Sequence, residues 1–252
     1  MGQIIAVMPG SGGVGATVLG AAIAVRAAAA RRSVVAVDLD LWSGGLDTVY
    51  GLEQEPGWRW SELEAVSGVV DGPELARRLP IAEGVAVLST ARAAGVGPPT
   101  WPDVVPDVVA GLAAAHDIVV LDLPREPRVL ERCLPLCGAA ILVVGAQVAQ
   151  LAAASVAVER LKELGPPPWA VLRGPRDVED VEELVRDHLG VPVLGRLGDD
   201  HRMAADLIDG VPPGSRGRGP VVEVADRALV RLVAEPETAV PAPRPLLGRR
   251  SA

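Results

Sequence analysis

The chain opens with an apolar run, Gln3-Ile4-Ile5-Ala6-Val7-Met8, then Pro9-Gly10-Ser11-Gly12-Gly13-Val14-Gly15-Ala16-Thr17, then an alanine-rich stretch. A strand, a glycine-rich turn and a helix in that order gather backbone N–H groups around one point. The helix dipole adds to their pull on an anion. Glycine suits such a turn because the backbone must come close to a phosphate and adopt positive φ. A phosphate-binding loop has the pattern G-x-x-x-x-G-K-[ST]. Gly10, Gly15 and Thr17 fit it, while Ala16 stands at the lysine position. Lys162 is the only lysine among 24 Lys and Arg residues, so no neighbouring lysine can stand in. The strand, the spaced glycines, Thr17 and the helix together favour a phosphate-loop ancestry over a plain βα turn. They leave open whether an anion is still bound.

Short apolar runs alternate with longer helical patterns along the rest of the chain, which predicts βαβ units and a parallel sheet. Strands are expected over residues 3–8, 33–38, 85–89, 118–122, 140–144, 170–173 and 191–194. Helices are expected near 16–30, 73–79, 102–115, 149–164, 178–189, 201–208 and 222–233. From Glu235 onward the chain is Pro-rich without periodicity and reads as a disordered tail. The Arg216-Gly217-Arg218-Gly219 stretch reads as a mobile loop. The 252 residues suffice for one large α/β domain with a sizeable core. With no Phe and one Tyr, that core should be aliphatic.

Two predicted strands end in acids. The second closes Val37-Asp38-Leu39-Asp40, and Ile118-Val119-Val120-Leu121-Asp122 is an apolar strand ending in an aspartate. Carboxylates at the carboxyl ends of parallel strands face the ligand crevice. The second arrangement is that of an aspartate that holds Mg²⁺ near a phosphate loop. Asp122 and Thr17 therefore become candidates to bracket a metal ion; the plainer alternative is that these acids cap strand ends.

Ser-Gly-Gly-Val-Gly-Ala-Thr, Val-Asp-Leu-Asp-Leu and Val-Val-Leu-Asp-Leu-Pro-Arg resemble the deviant Walker A, A′ and B motifs of the MinD/ParA family. Within it the chain most resembles the CpaE/TadZ-like branch, which includes actinobacterial septum site-determining proteins. The runs beginning at Asp40, Pro56 and Asp122 carry that part of the likeness. The resemblance covers about residues 1–234. It implies an α/β, P-loop NTPase-like fold, a mostly parallel sheet with helices on both faces. It implies one MinD/ParA-like domain over 1–234, followed by the tail at 235–252. The receiver-like domain that commonly precedes this region in the branch is not among these residues.

By resemblance, Gly10, Ser11, Gly12, Gly13, Val14, Gly15, Ala16 and Thr17 form the nucleotide-binding loop. Thr17, Asp38 and Asp122 serve Mg²⁺, and Asp40 positions the attacking water. ATP or ADP with Mg²⁺ is the implied cofactor. Three departures stand out. The signature lysine that reaches across the dimer is replaced by Ser11. The second lysine is replaced by Ala16. No asparagine follows Ala170-Val171-Leu172-Arg173, where the family places a base-contacting one. Losing a charged hydrogen bond weakens binding by roughly 1.5–3 kcal/mol. Losing a cation delivered to a phosphoryl transition state slows hydrolysis by about 10³–10⁵.

The leading expectation is a regulatory or positioning protein with a degenerate site, a pseudo-ATPase. It would act through protein partners in septum placement or in localising a pilus or secretion apparatus. Any homodimer would form independently of ATP. One alternative is an active switch ATPase using a substitute arginine, Arg125 or Arg173; a synthetase of the same superfamily is a third reading, without a supporting nucleophile. A net charge of −8 argues against direct nucleic-acid binding. Nothing in the sequence reads as a signal peptide or membrane span, and the tail lacks an amphipathic membrane helix. A cytoplasmic protein, recruited to septum or membrane by partners, is therefore expected. Cys133 and Cys137 read as buried free thiols on one helical face. His116, His188 and His201 read as surface or cap residues. Trp58 and Trp60 read as cover for the sheet edge, with a partner-binding patch as the alternative.

Overall fold

In the computed structural model, residues 2–40, 45–63, 70–90, 104–174 and 179–233 are described. The strands are β1 (Gln3–Pro9), β2 (Val34–Asp38), β3 (Ile81–Ala82), β4 (Val85–Leu88), β5 (Ile118–Asp122), β6 (Ala139–Gly145), β7 (Pro168–Arg173) and β8 (Val193–Leu197). The helices are α1 (Ala16–Ala29), α2 (Gly45–Tyr50), α3 (Gly72–Arg78), α4 (Val105–Ala115), α5 (Pro127–Cys133), α6 (Val148–Leu164), α7 (Glu179–Leu184), α8 (Met203–Ile208) and α9 (Pro220–Val233). The eight strands form one sheet in the order β3-β4-β2-β5-β1-β6-β7-β8. Among the described residues, only the short edge pair β3–β4 is antiparallel. The mostly parallel sheet with helices is the architecture expected from the sequence.

β1 lies between β5 and β6, at the centre of the sheet. β2, β5 and β6 are buried along their whole length. Their unbroken Val, Ile, Leu and Ala runs are what a sheet covered on both faces requires. Alternate side chains enter two separate cores. Ile4, Ala6 and Met8 point to the one filled by α4, α5 and α6, while Ile5 and Val7 point to the one filled by α1 and α9. The alanines of α1 follow from this sandwich. Ala21, Ala22, Ile23 and Ala24 are buried, and Gly20 lets the helix approach Val7 and Val120.

Several boundaries differ from expectation for local reasons. β8 begins at Val193 rather than Val191, because Pro192 has no N–H to give the ladder and offers only its carbonyl, to Ala170. A bulge between Ala170 and Val171 absorbs the offset. The helix expected to run to Leu189 changes to a π turn at Val185–Leu189 and ends on left-handed Gly190. α5 was not expected, although Glu126 caps it and Pro127 opens it. The 212–219 loop is tied down: Gly214 packs on α1, and Arg216 makes a bidentate pair with Asp206. Cys133 and Cys137 are free and buried, but α5 ends at Cys133, so they do not share one regular helix. The expected tail falls outside the described residues, as do positions 41–44, 102–103 and 178.

Candidate functional site

The carboxyl ends of β1, β2 and β5 lie side by side, and residues 10–15 bridge β1 to α1 above them. Gly10 donates its N–H to the Val143 carbonyl at 2.8 Å, tying the loop to β6. A Cβ at Gly10 would sit 3.0 Å from Ala154 Cβ and 3.1 Å from the Val143 oxygen, so any larger residue there would have to push α6 or β6 back by a few tenths of an ångström. Gly13 and Gly15 are required by conformation, with φ of 72° and 87°. Gly15 caps α1 with no side-chain acceptor, and the first turn of α1 holds no acid. The first-turn N–H donors of the helix therefore receive no acceptor from a capping side chain or from an acid within that turn. The space in front is open, since a Cβ at Gly12 or Gly13 would meet nothing within 4 Å. Ser11 is buried at 8% exposure, and its Oγ has no hydrogen-bond partner among the described residues. Ala16 is buried as well.

Asp38 and Asp122 are paired neighbours across β2 and β5. Asp38 accepts from the backbone N–H groups of Leu46 at 2.9 Å and Asp40 at 3.0 Å. The Thr17 side chain hydrogen-bonds to Asp122. Burial pushes Asp38 up to about 6, with Asp40 adding to the shift against the N–H donors that oppose it. Burial, helped by the charges of Asp38 and Asp40 and opposed by the Thr17 hydrogen bond, pushes Asp122 up to about 7. Two desolvated acids beside a hydroxyl and an anion loop suit Mg²⁺, which takes one or two carboxylates and completes its shell with water and phosphate oxygens. No cluster of three or more His, Cys, Asp or Glu side chains forms a protein-only metal cage among the described residues.

The two arginines proposed as lysine substitutes occupy different positions. Arg125 Nη1 donates to the Gly10 carbonyl at 3.3 Å, so its guanidinium touches the loop. Arg173 is spent on β8: it donates to the carbonyls of Leu197 at 3.3 Å and Gly198 at 2.8 Å, and pairs with Asp199 at 2.6 Å. Arg173 also lines a cavity of about 120 Å³ beside Gly13 and Gly15, whose walls include Leu197 and Met203. Asp200, Met203 and Val221 line both that cavity and a larger cleft of about 420 Å³.

A buried polar network beside the acids was missed in the sequence. Arg59 pairs with Asp47 at 2.9 Å, and the Ser89 hydroxyl donates to the same carboxylate. Arg59 also donates to the carbonyls of Gly57, Leu52 and Glu55. Trp60 is buried and donates Nε1–H to the Asp38 carbonyl at 2.6 Å. Trp58 is half-buried with Arg78 stacked 4.5 Å above it. The Trp-Arg-Trp alternation marked the place; its buried ion pair with Asp47 depends on a tertiary contact that no local pattern encodes.

No family model matches the chain. The chain is 32% identical over 213 residues to "Uncharacterized protein Rv3660c" of Mycobacterium tuberculosis H37Rv. The match covers 83% of this chain, and the chain spans 58% of the length of that relative. Among solved structures, a ParA family ATPase from Chlorobium tepidum superposes with a TM-score of 0.76 at 17% identity, over 91% of this chain and 99% of that one. The septum site-determining protein MinD from Pyrococcus horikoshii, complexed with Mg-ADP, gives 0.73 at 22% identity over 93% and 98%. The MinC:MinD complex of Aquifex aeolicus gives 0.73 at 19% identity over 96% and 98%. The strand order, the glycine loop at the carboxyl edge and these superpositions together give the chain the P-loop fold of the MinD and ParA ATPases.

Proposed function

We propose that this chain is a regulatory or positioning protein whose nucleotide site has lost most of its catalytic power. It is read as a CpaE/TadZ-like member, with residues 1–234 as its working domain and 235–252 as a tail. One observation carries the reading. The loop has Gly13 and Gly15 at positive φ, yet small uncharged side chains, Ser11 and Ala16, stand at the two positions where the resemblance places lysines. Gly10 to Thr17 would hold the phosphates of ATP or ADP. Thr17, Asp38 and Asp122 would hold Mg²⁺, which supplies charge neutralisation between phosphate oxygens when bound. Asp40, beyond the end of β2, would orient a water. Transition-state charge then meets no lysine, and turnover falls by several orders of magnitude.

Work without turnover is work through surfaces. The MinC:MinD complex shows a protein of this fold engaging a protein partner. The proposed partners of this chain are proteins of the septum or of a pilus or secretion apparatus, which recruit it from the cytoplasm. Its net charge of −8 opposes direct nucleic-acid binding. Among the described residues no helix is long and apolar enough to cross a membrane.

Phosphate release from Mg·ATP, measured for the wild type and Asp40→Ala, tests the reading. Negligible turnover in both is expected. A robust wild-type rate that Asp40→Ala abolishes would instead establish the active-ATPase alternative, which the contact of Arg125 with the loop favours.

A further inference from the structure

The loop lacks both lysines, yet one guanidinium rests against it. We propose that Arg125 is the cation of this anion site, moving from the Gly10 carbonyl onto an oxygen of a polyphosphate seated over Gly13 to Thr17. The inference rests on reading the loop as an anion site, and it names the residue that makes binding possible without lysine.

Three observations single out Arg125. Its backbone is fixed beside the loop. Leu123 donates its N–H to the Val7 carbonyl at 2.9 Å, the Pro124 ring locks its own φ, and Glu126 caps α5 through Arg128 and Val129. The side chain is exposed, and it forms no ion pair with a carboxylate among the described residues. Its hydrogen bond, 3.3 Å to a neutral carbonyl, leaves most of its five N–H donors for another acceptor. Arg173, Arg59 and Arg216, by contrast, are each held by a carboxylate. The buried Ser11 Oγ, unpartnered in the same loop, is a second group left for a ligand oxygen. A planar guanidinium suits that ligand because it can meet two phosphate oxygens at once.

Calorimetric titration with Mg·ATP, Mg·ADP and Mg·tripolyphosphate tests this for the wild type, Arg125→Ala, Arg125→Lys, Arg173→Ala and Arg128→Ala. Arg128 is an exposed neighbour on α5 that controls for general charge. Arg125→Ala should weaken all three ligands by about 10–100-fold, the scale of a charged hydrogen bond. Arg125→Lys should recover part of the loss, and Arg128→Ala should stay within about two-fold of wild type. Unchanged affinity in Arg125→Ala overturns the proposal, as does an equal loss in Arg128→Ala or a larger one in Arg173→Ala. Failure of the wild type to bind any of the three at millimolar concentration also overturns it, while leaving the degenerate-site reading standing. Robust turnover would sink that reading and leave Arg125 in place if its alanine variant loses binding.

Discussion

Asp38 and Asp122 meet across β2 and β5 with most of their water removed. Both folded values, about 6 and about 7, lie above the ordinary 3.8. Between pH 4 and 7 the folded protein therefore keeps protons that the unfolded chain has released. Stability contributed by the neutral acids is present at low pH and falls as pH rises through that window. Asp122→Asn should raise Tm at pH 8 and change it little at pH 4, because at pH 4 the aspartate is already neutral. Thermal melts at both pH values check this, and equal effects at both would contradict it. At the loop, Ala16→Lys restores a charged donor at the first position of α1. It should tighten Mg·ATP binding by about 10–100-fold in a titration. No gain would mean that the space over the loop does not admit the phosphates.

At the scale of elements, β1, the loop and α1 could be read directly because each has its own local signal: an unbroken apolar run, spaced glycines and an alanine-rich helix. The acids at the ends of β2 and β5 were legible for the same reason. Two short helices were not, α2 and α5 of six and seven residues, although α3 and α8, of seven and six residues, were expected. The Arg59–Asp47 pair escaped because its meaning depends on burial created by distant chain. Breaking a buried pair while leaving its partner charged costs about 3–5 kcal/mol. Arg59→Ala should lose about that much in chemical denaturation, since Asp47 stays buried and the carbonyls of 52, 55 and 57 lose their donor. A loss below about 1 kcal/mol would show that water replaces the guanidinium. The crossing of α3 and α4 offers a second check. A Cβ at Gly72 would lie 1.8 Å from the Gly111 oxygen, so Gly72→Ala must push the helices apart. Overpacking of this kind costs about 1–3 kcal/mol or more.

For the whole molecule, a parallel sheet centred on β1 brings Gly10 to Thr17, Asp38 and Asp122 together at its carboxyl edge, where the proposed ligand would act. That convergence was legible because strand order in βα alternation puts strand ends together. In the reading proposed above, what a ligand does to any association between copies turns on the side chain at position 11. Ser11 is too short and uncharged to reach a partner's phosphates. Nucleotide then contributes little differential free energy to association, and a ligand with equal affinity for two states shifts neither. Sedimentation velocity of the protein alone, with saturating Mg·ADP and with saturating Mg·ATP tests this central claim most directly. The same distribution of monomer and dimer in all three is predicted, and a monomer-to-dimer shift with ATP that ADP does not produce would contradict it.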